Sequence, residues 1–325
     1  MGIFDKRIAY KPLEYPQVQE FIDALNQTFW VHSEVDFAAD IQDFKVNLSE
    51  VEKSAIKNAL KSIAQVEVSV KMYWGNLYQH LPKPEFNGLG SSFAECEWRH
   101  SEAYSRLLDV IGIGDDEFEA FIHRDEIKAR LSVLSENVKL KDGYTRKDFL
   151  KSLAIFALLV ENVSLFSQFA IILSFTKFKG QLKNTSNIIA WTSKDEQIHA
   201  NAGIWLFNEI AKEHPELIDS AFQEEIRQIA LESLQVEDQI LDMIFEKGEL
   251  SHISKYDLKQ FMIARTAKSL SDIGIDQFIQ PDEAAAQRML WFEEEVFANT
   301  QDDFFAKRPV DYSKHNQSIT ADDLF

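Results

Sequence analysis

The chain has 325 residues, 45% of them hydrophobic, and carries 34 basic against 53 acidic side chains for a formal charge of −19. That surplus argues against nucleic acid or an acidic membrane as partner, while 25 Phe with only 11 Gly and 7 Pro favour long helices around a large core. The single cysteine, Cys96, excludes an internal disulfide and suits a reducing cytoplasm.

Met1–Tyr10 lacks the apolar core of a signal peptide. The first 48 residues read as an irregular segment packing on a bundle, with a helical piece near Gln17–Phe29. Phe29-Trp30 precedes an acidic, extended-looking Glu34-Val35-Asp36, and Trp30 taken alone is a buried aromatic anchor. Ser49 with Glu52 forms a capping box, so a long helix is predicted from Ser49 to about Leu81, where Pro82 and Pro84 stop it. Glu67 is the only acidic residue between Glu52 and Glu85 and lies among Val66, Val68 and Val70. Such a carboxylate either sits on a wet face or, if buried, needs a partner or a metal.

A second helix is predicted from the Asn87–Gly90 turn to the glycines at 112 and 114, carrying Glu97, His100 and Tyr104. Residues 115–140 read as shorter, charged, peripheral helices. Thr145 with Asp148 opens a helix to about Phe178 that is apolar nearly all round and therefore central. Glu161, the only acidic residue between Asp148 and Asp195, has no polar face to occupy. The apolar run through Ala154–Val160 falls short of the roughly 20 residues that span a bilayer. After a loop over Lys177–Asn184, a helix from about Thr185 to Lys212 carries Asp195, Glu196 and His199. Further helices are predicted from Pro215 to Lys247-Gly248, from near Ser254, and around Trp291-Phe292 beyond the Pro281-Asp282 turn. From Ala298 the chain becomes polar and aperiodic, the pattern of a flexible tail. The expected organisation is one helical domain over 49–297 with a tail over 298–325.

Glu97-x-x-His100 and Glu196-x-x-His199 each aim a carboxylate and an imidazole at one point, because residues three apart share a helix face. Each pair follows a helix with an isolated carboxylate, Glu67 and Glu161, and these six side chains are the set a bundle core needs to hold two metal ions. A third match, Glu249-Leu250-Ser251-His252, sits beside Gly248 in an inter-helix turn and reads as a solvated loop. Four carboxylates suit iron or manganese and would be unusual for zinc. Left without cations in a dry core they would be prohibitively costly.

With these residues in place the chain resembles the small, radical-generating subunit of class I ribonucleotide reductase, from Phe29-Trp30 to the terminal Asp322-Asp323-Leu324-Phe325. The resemblance implies a ferritin-like all-α bundle, a homodimer, and a large catalytic subunit as partner. It implies that Glu67, Glu97, His100, Glu161, Glu196 and His199 hold two metal ions. Activated by an oxygen species, that centre would store an oxidising equivalent and pass it to the large subunit, where ribonucleotides are reduced. Tyr104 matches the radical tyrosine, Trp30 the tryptophan of the transfer route, Asp195 the aspartate joining it to His100, and Tyr312 the tail tyrosine facing the partner. The acidic-then-Phe ending resembles the family's docking peptide. Lys194-Asp195 replaces the more usual Arg-Asp.

Glu67 stands where the diiron–tyrosyl members most often have aspartate, and glutamate there resembles the manganese-using subclasses. Since manganese/iron members usually lack the tyrosine that Tyr104 retains, dimanganese is favoured, with diiron and manganese/iron as the alternatives. The competing function on the same chassis is a ligand-binding oxidase or monooxygenase, which would need a substrate pocket beside the metals.

Overall fold

A computed structural model describes residues 2–276 and 278–297, except for the side chains of residues 67–69. In chain order its helices are α1 (Gln17–Gln27), α2 (Ala38–Gln42), α3 (Glu50–Gly75), α4 (Leu77–His80), α5 (Pro84–Val110), α6 (Asp115–Ile122) and α7 (Asp125–Asn137). They continue with α8 (Arg146–Ile155), α9 (Phe166–Lys179), α10 (Lys183–Glu213), α11 (Ser220–Ile244), α12 (Lys255–Asp272), α13 (Glu283–Arg288) and α14 (Leu290–Phe297). A wide π turn, Phe156–Ser164, joins α8 to α9. Among the described residues there is no strand, only an isolated bridge between Leu250 and Ile253.

Four rods build the site. Antiparallel neighbours α3 and α5 lie along each other, and α10 lies along the π turn and α9. The expected caps form: Ser49 and Glu52 close a reciprocal box at α3, Thr145 and Asp148 another at α8, and the Ser254 side chain accepts from Asp257 N at α12. The N-terminal segment caps α10, where Asp40 accepts from Thr185 N at 2.6 Å and from Asn184 N at 3.3 Å. A carboxylate against those orphan amide groups also meets the favourable end of the helix dipole. That segment is tied to the start of α5 through the buried Arg7–Glu85 ion pair.

Three features differ from the sequence reading, two of them boundaries. Asn87–Gly90 is not a turn, because α5 already starts at Pro84, whose fixed φ and missing N–H cost nothing in a first turn. Gly90 serves a close crossing instead: a Cβ there would lie 2.4 Å from the Trp74 carbonyl oxygen of α3. The first long helix breaks at Asn76, leaving α4 as a separate turn before the prolines. The third difference concerns α8, the π turn and α9, which run on as Arg146–Lys179. These 34 residues are long and apolar enough to cross a bilayer, contrary to the estimate from run length, yet their apolar window is wholly buried inside the bundle.

Candidate metal centre

Glu97 and His100 project from α5, Glu161 from the π turn, and Glu196 and His199 from α10. All five side chains are buried, with 0–1% of their surface exposed. Glu97, Glu161, Glu196 and His199 each present a ligand atom within 4.8 Å of the others. His199 Nδ1 lies 2.8 Å from Glu97 Oε1, 3.1 Å from Glu196 Oε2 and 3.8 Å from Glu161 Oε2. His100 joins through its own Nδ1, 3.2 Å from Glu97 Oε2 and 3.1 Å from Glu196 Oε1. Both imidazoles thus turn Nδ1 inward. Glu67 falls in α3, which packs on α5, and its side chain is outside the described structure.

The donor set fits a cation pair. Glu97 Oε1, Glu161 Oε2 and Glu196 Oε1 are buried without a hydrogen bond of acceptable geometry, and orphaned buried carboxylate oxygens are what a missing positive charge leaves behind. Protons take its place. Burial, with Glu196 and Glu97 nearby, raises the Glu161 carboxyl well above the usual range. Burial would also raise Glu196, but His100 and His199 hold it well below. Burial opposes a charge on either imidazole, yet both are held well above the ordinary value, His100 by Cys96, Asp195 and Glu196, and His199 by Glu97, Cys96, Glu161 and Glu196.

Behind His100 the contacts continue toward the surface. His100 Nε2 lies 3.1 Å from Asp195 Oδ2, and the same oxygen accepts from Trp30 Nε1 at 2.8 Å. The Trp30 and His100 rings stack with centroids 5.7 Å apart, and Trp30 leans on the half-buried Trp191 at 5.5 Å. Arg99 holds the other end of Trp30, donating from Nη1 to its carbonyl at 3.0 Å. Tyr104 is buried on the same stripe of α5, one turn beyond His100. Tyr312 and the terminal Asp322-Asp323-Leu324-Phe325 lie outside the described residues. The third Glu-x-x-His lies between α11 and α12, away from the cluster. Glu249 is exposed there, while His252 is less solvated than expected, half-buried with a ring nitrogen 3.0 Å from Ser174 Oγ.

Three contributors were missed in the sequence. Trp74 donates from Nε1 to Glu161 Oε1 at 2.7 Å and packs on Phe93, Phe156 and His199. Its position seven residues after Glu67, hence on the same face of α3, was an available signal. Thr28 Oγ1 donates to Asp195 Oδ1 at 3.2 Å, and Cys96 Sγ to Asp195 Oδ2 at 3.4 Å. Cys96 lies four residues before His100 and so shares its face of α5, a signal of the same kind, whereas nothing in the spacing marks Thr28.

The family model described as "Ribonucleotide reductase, small chain" matches residues 7–284. The chain is 26% identical over 330 residues to "Probable ribonucleoside-diphosphate reductase small subunit 048L" of Invertebrate iridescent virus 3, covering 97% of this chain and 86% of that one. It is 25% identical over 301 residues to the ribonucleoside-diphosphate reductase subunit beta of Chlamydia pneumoniae, covering 87% and 83%. Among solved structures, the ribonucleotide reductase R2 subunit from Clostridium botulinum superposes with a TM-score of 0.78 at 17% identity, over 88% of this chain and 90% of that one.

Proposed function

The chain belongs to the ribonucleotide reductase small-chain family, and from that premise we propose how its site works, with a dimanganese pair as the resident centre. It is a ribonucleoside-diphosphate reductase small subunit, an oxidoreductase that acts with a large subunit. The observation that carries the site assignment is the buried group of three carboxylates and two inward-facing Nδ1 atoms; Glu67 of α3 is the fourth carboxylate this reading assigns to it.

The ions, when bound, supply the one-electron oxidising chemistry; the chain supplies everything around it. Asp195 accepts from His100 Nε2–H, which fixes the tautomer whose Nδ1 lone pair faces the cluster. Trp74 orients Glu161 in the same way through its indole N–H. Phe93 and Phe156 wall the pocket and exclude water from it. Trp30, Asp195 and His100 form a continuous hydrogen-bonded path along which an electron and its accompanying proton shift can pass. Tyr104, buried one turn beyond His100 on α5, would share the oxidising equivalent, and Tyr312 would deliver it to the large subunit, this chain acting as a homodimer. Glutamate at position 67 together with a retained Tyr104 supports manganese at both positions.

Metal analysis with electron paramagnetic resonance on activated protein tests the metal, and a diiron centre beside a stable tyrosyl signal would overturn dimanganese. For the reaction, Tyr312→Phe is expected to keep its metals and its binding to the large subunit while abolishing ribonucleotide reduction. Deleting residues 312–325 should likewise leave metal content unchanged and remove partner-dependent turnover. Turnover indifferent to both changes would point to an oxidase acting without a partner.

A further inference from the structure

Arg265 of α12 is a buried cation that touches neither the ion cluster nor the Trp30 path, yet it grips the chain beside two of the carboxylates. Its guanidinium carbon lies 3.6 Å over the Phe166 ring. Nε donates to the Asn162 carbonyl at 2.7 Å, and Nη2 to Asn162 Oδ1 and, at 2.9 Å, to Gln197 Oε1. Asn162 directly follows Glu161 in the π turn, and Gln197 directly follows Glu196 in α10. One planar fork therefore spans the two elements that bring those carboxylates together. Asn162 is held from a second side, donating to Ser269 Oγ on the same α12.

The remaining nitrogen, Nη1, donates at 2.7 Å to Glu293 Oε1 of α14. Asn162 and Gln197 are neutral acceptors, so Glu293 is the anion that offsets this buried charge among the described partners. Removing it would leave a guanidinium in a largely apolar slot. Phe292, its neighbour, is fully buried against Phe166 and Phe261, the two rings that flank the guanidinium. Helix α14 is the last described element before residues 298–325.

We propose that Arg265 is a positioning residue for Glu161 and Glu196, and that its Glu293 contact couples the helix leading into the C-terminal tail to the dimetal pocket. A partner that engages the tail and shifts α14 alters the Arg265–Glu293 contact, and through Asn162 and Gln197 the spacing of the two carboxylates. This rests on the dimetal reading above.

The test uses full-length protein, metal-free, titrated with Mn(II) by the loss of its free-ion resonance and with Co(II) by visible absorption. Wild type is expected to bind two ions per chain. Glu293→Gln should bind them about tenfold more weakly and shift the Co(II) ligand-field band, whereas Glu294→Gln, at an exposed neighbouring position, should match wild type. Adding the large subunit should move the band in wild type and not in Glu293→Gln. Unchanged affinity and band in Glu293→Gln would overturn the coupling while leaving the dimetal reading intact. A wild type that binds no ion pair would overturn both.

Discussion

At the residue scale the site depends on donors and acceptors that have one workable arrangement. Asp195 collects Trp30 Nε1, His100 Nε2 and Cys96 Sγ on Oδ2 and Thr28 Oγ1 on Oδ1. Asp195→Asn keeps at most one neutral carbonyl oxygen for Trp30, His100 and Cys96, with its N–H turned to the Thr28 hydroxyl, and so weakens the charged hold on the His100 Nε2–H. A loss of about 10–100-fold in manganese affinity is expected with the helical content intact, read by titration and circular dichroism. Trp74→Phe keeps a ring but leaves Glu161 Oε1 without its 2.7 Å donor. The metal-free protein should lose about 1–3 kcal/mol, measured by urea unfolding. Glu161 was legible in the sequence because no polar face could hold it, and the two Glu-x-x-His pairs because helical spacing aligns them. Trp74 and Cys96 were signalled only by their helical spacing from Glu67 and His100, and Thr28 by nothing, since an indole, thiol or hydroxyl that orients a neighbour has the same sequence surroundings as one that only fills space.

At the element scale the legible features were those with local causes. Capping boxes at Ser49 and Thr145 and the apolar rod through Glu161 follow from residue types a few positions apart. The π turn over Phe156–Ser164 was not legible, because its cause is tertiary: α10 crosses it so closely that a Cβ on Gly203 would stand 2.3 Å from Ala157 Cβ. Asn87–Gly90 was misread for a related reason. Gly90 has the composition of a turn but is selected by contact with the Trp74 carbonyl, a partner sixteen positions away. Gly203→Ala should therefore force α10 off the π turn, destabilising the fold by about 1–3 kcal/mol. Since Glu161 and Glu196 sit on either side of that crossing, manganese affinity should fall in the same variant, as paired unfolding and titration experiments would show.

At the scale of the whole molecule, an acidic chain has gathered carboxylates in its driest region, so its stability is linked to what neutralises them. In the metal-free protein Glu161, His100 and His199 hold protons above their ordinary values of 4.5 and 6.5. Groups with raised folded pKa values contribute stability below those ordinary values and lose it as pH rises through the folded ones. Glu196, held low, has the opposite sign: its contribution is present above 4.5 and is lost as pH falls through its folded pKa, so it does not oppose the trend above neutrality. The metal-free Tm should therefore fall as pH rises above 6.5, the gap to the metal-loaded Tm should widen, and ion uptake should release protons. Calorimetry in buffers of different ionisation enthalpy measures that release, and its absence would contradict the protonated state. The central claim, two ions held by these particular side chains, is tested most directly by anomalous diffraction at the manganese edge from crystals of the Mn(II)-loaded protein. Two peaks are expected, each within bonding distance of an inward Nδ1 of His100 or His199 and both bordered by Glu97, Glu161 and Glu196. One peak, none, or density elsewhere on the chain would contradict the account.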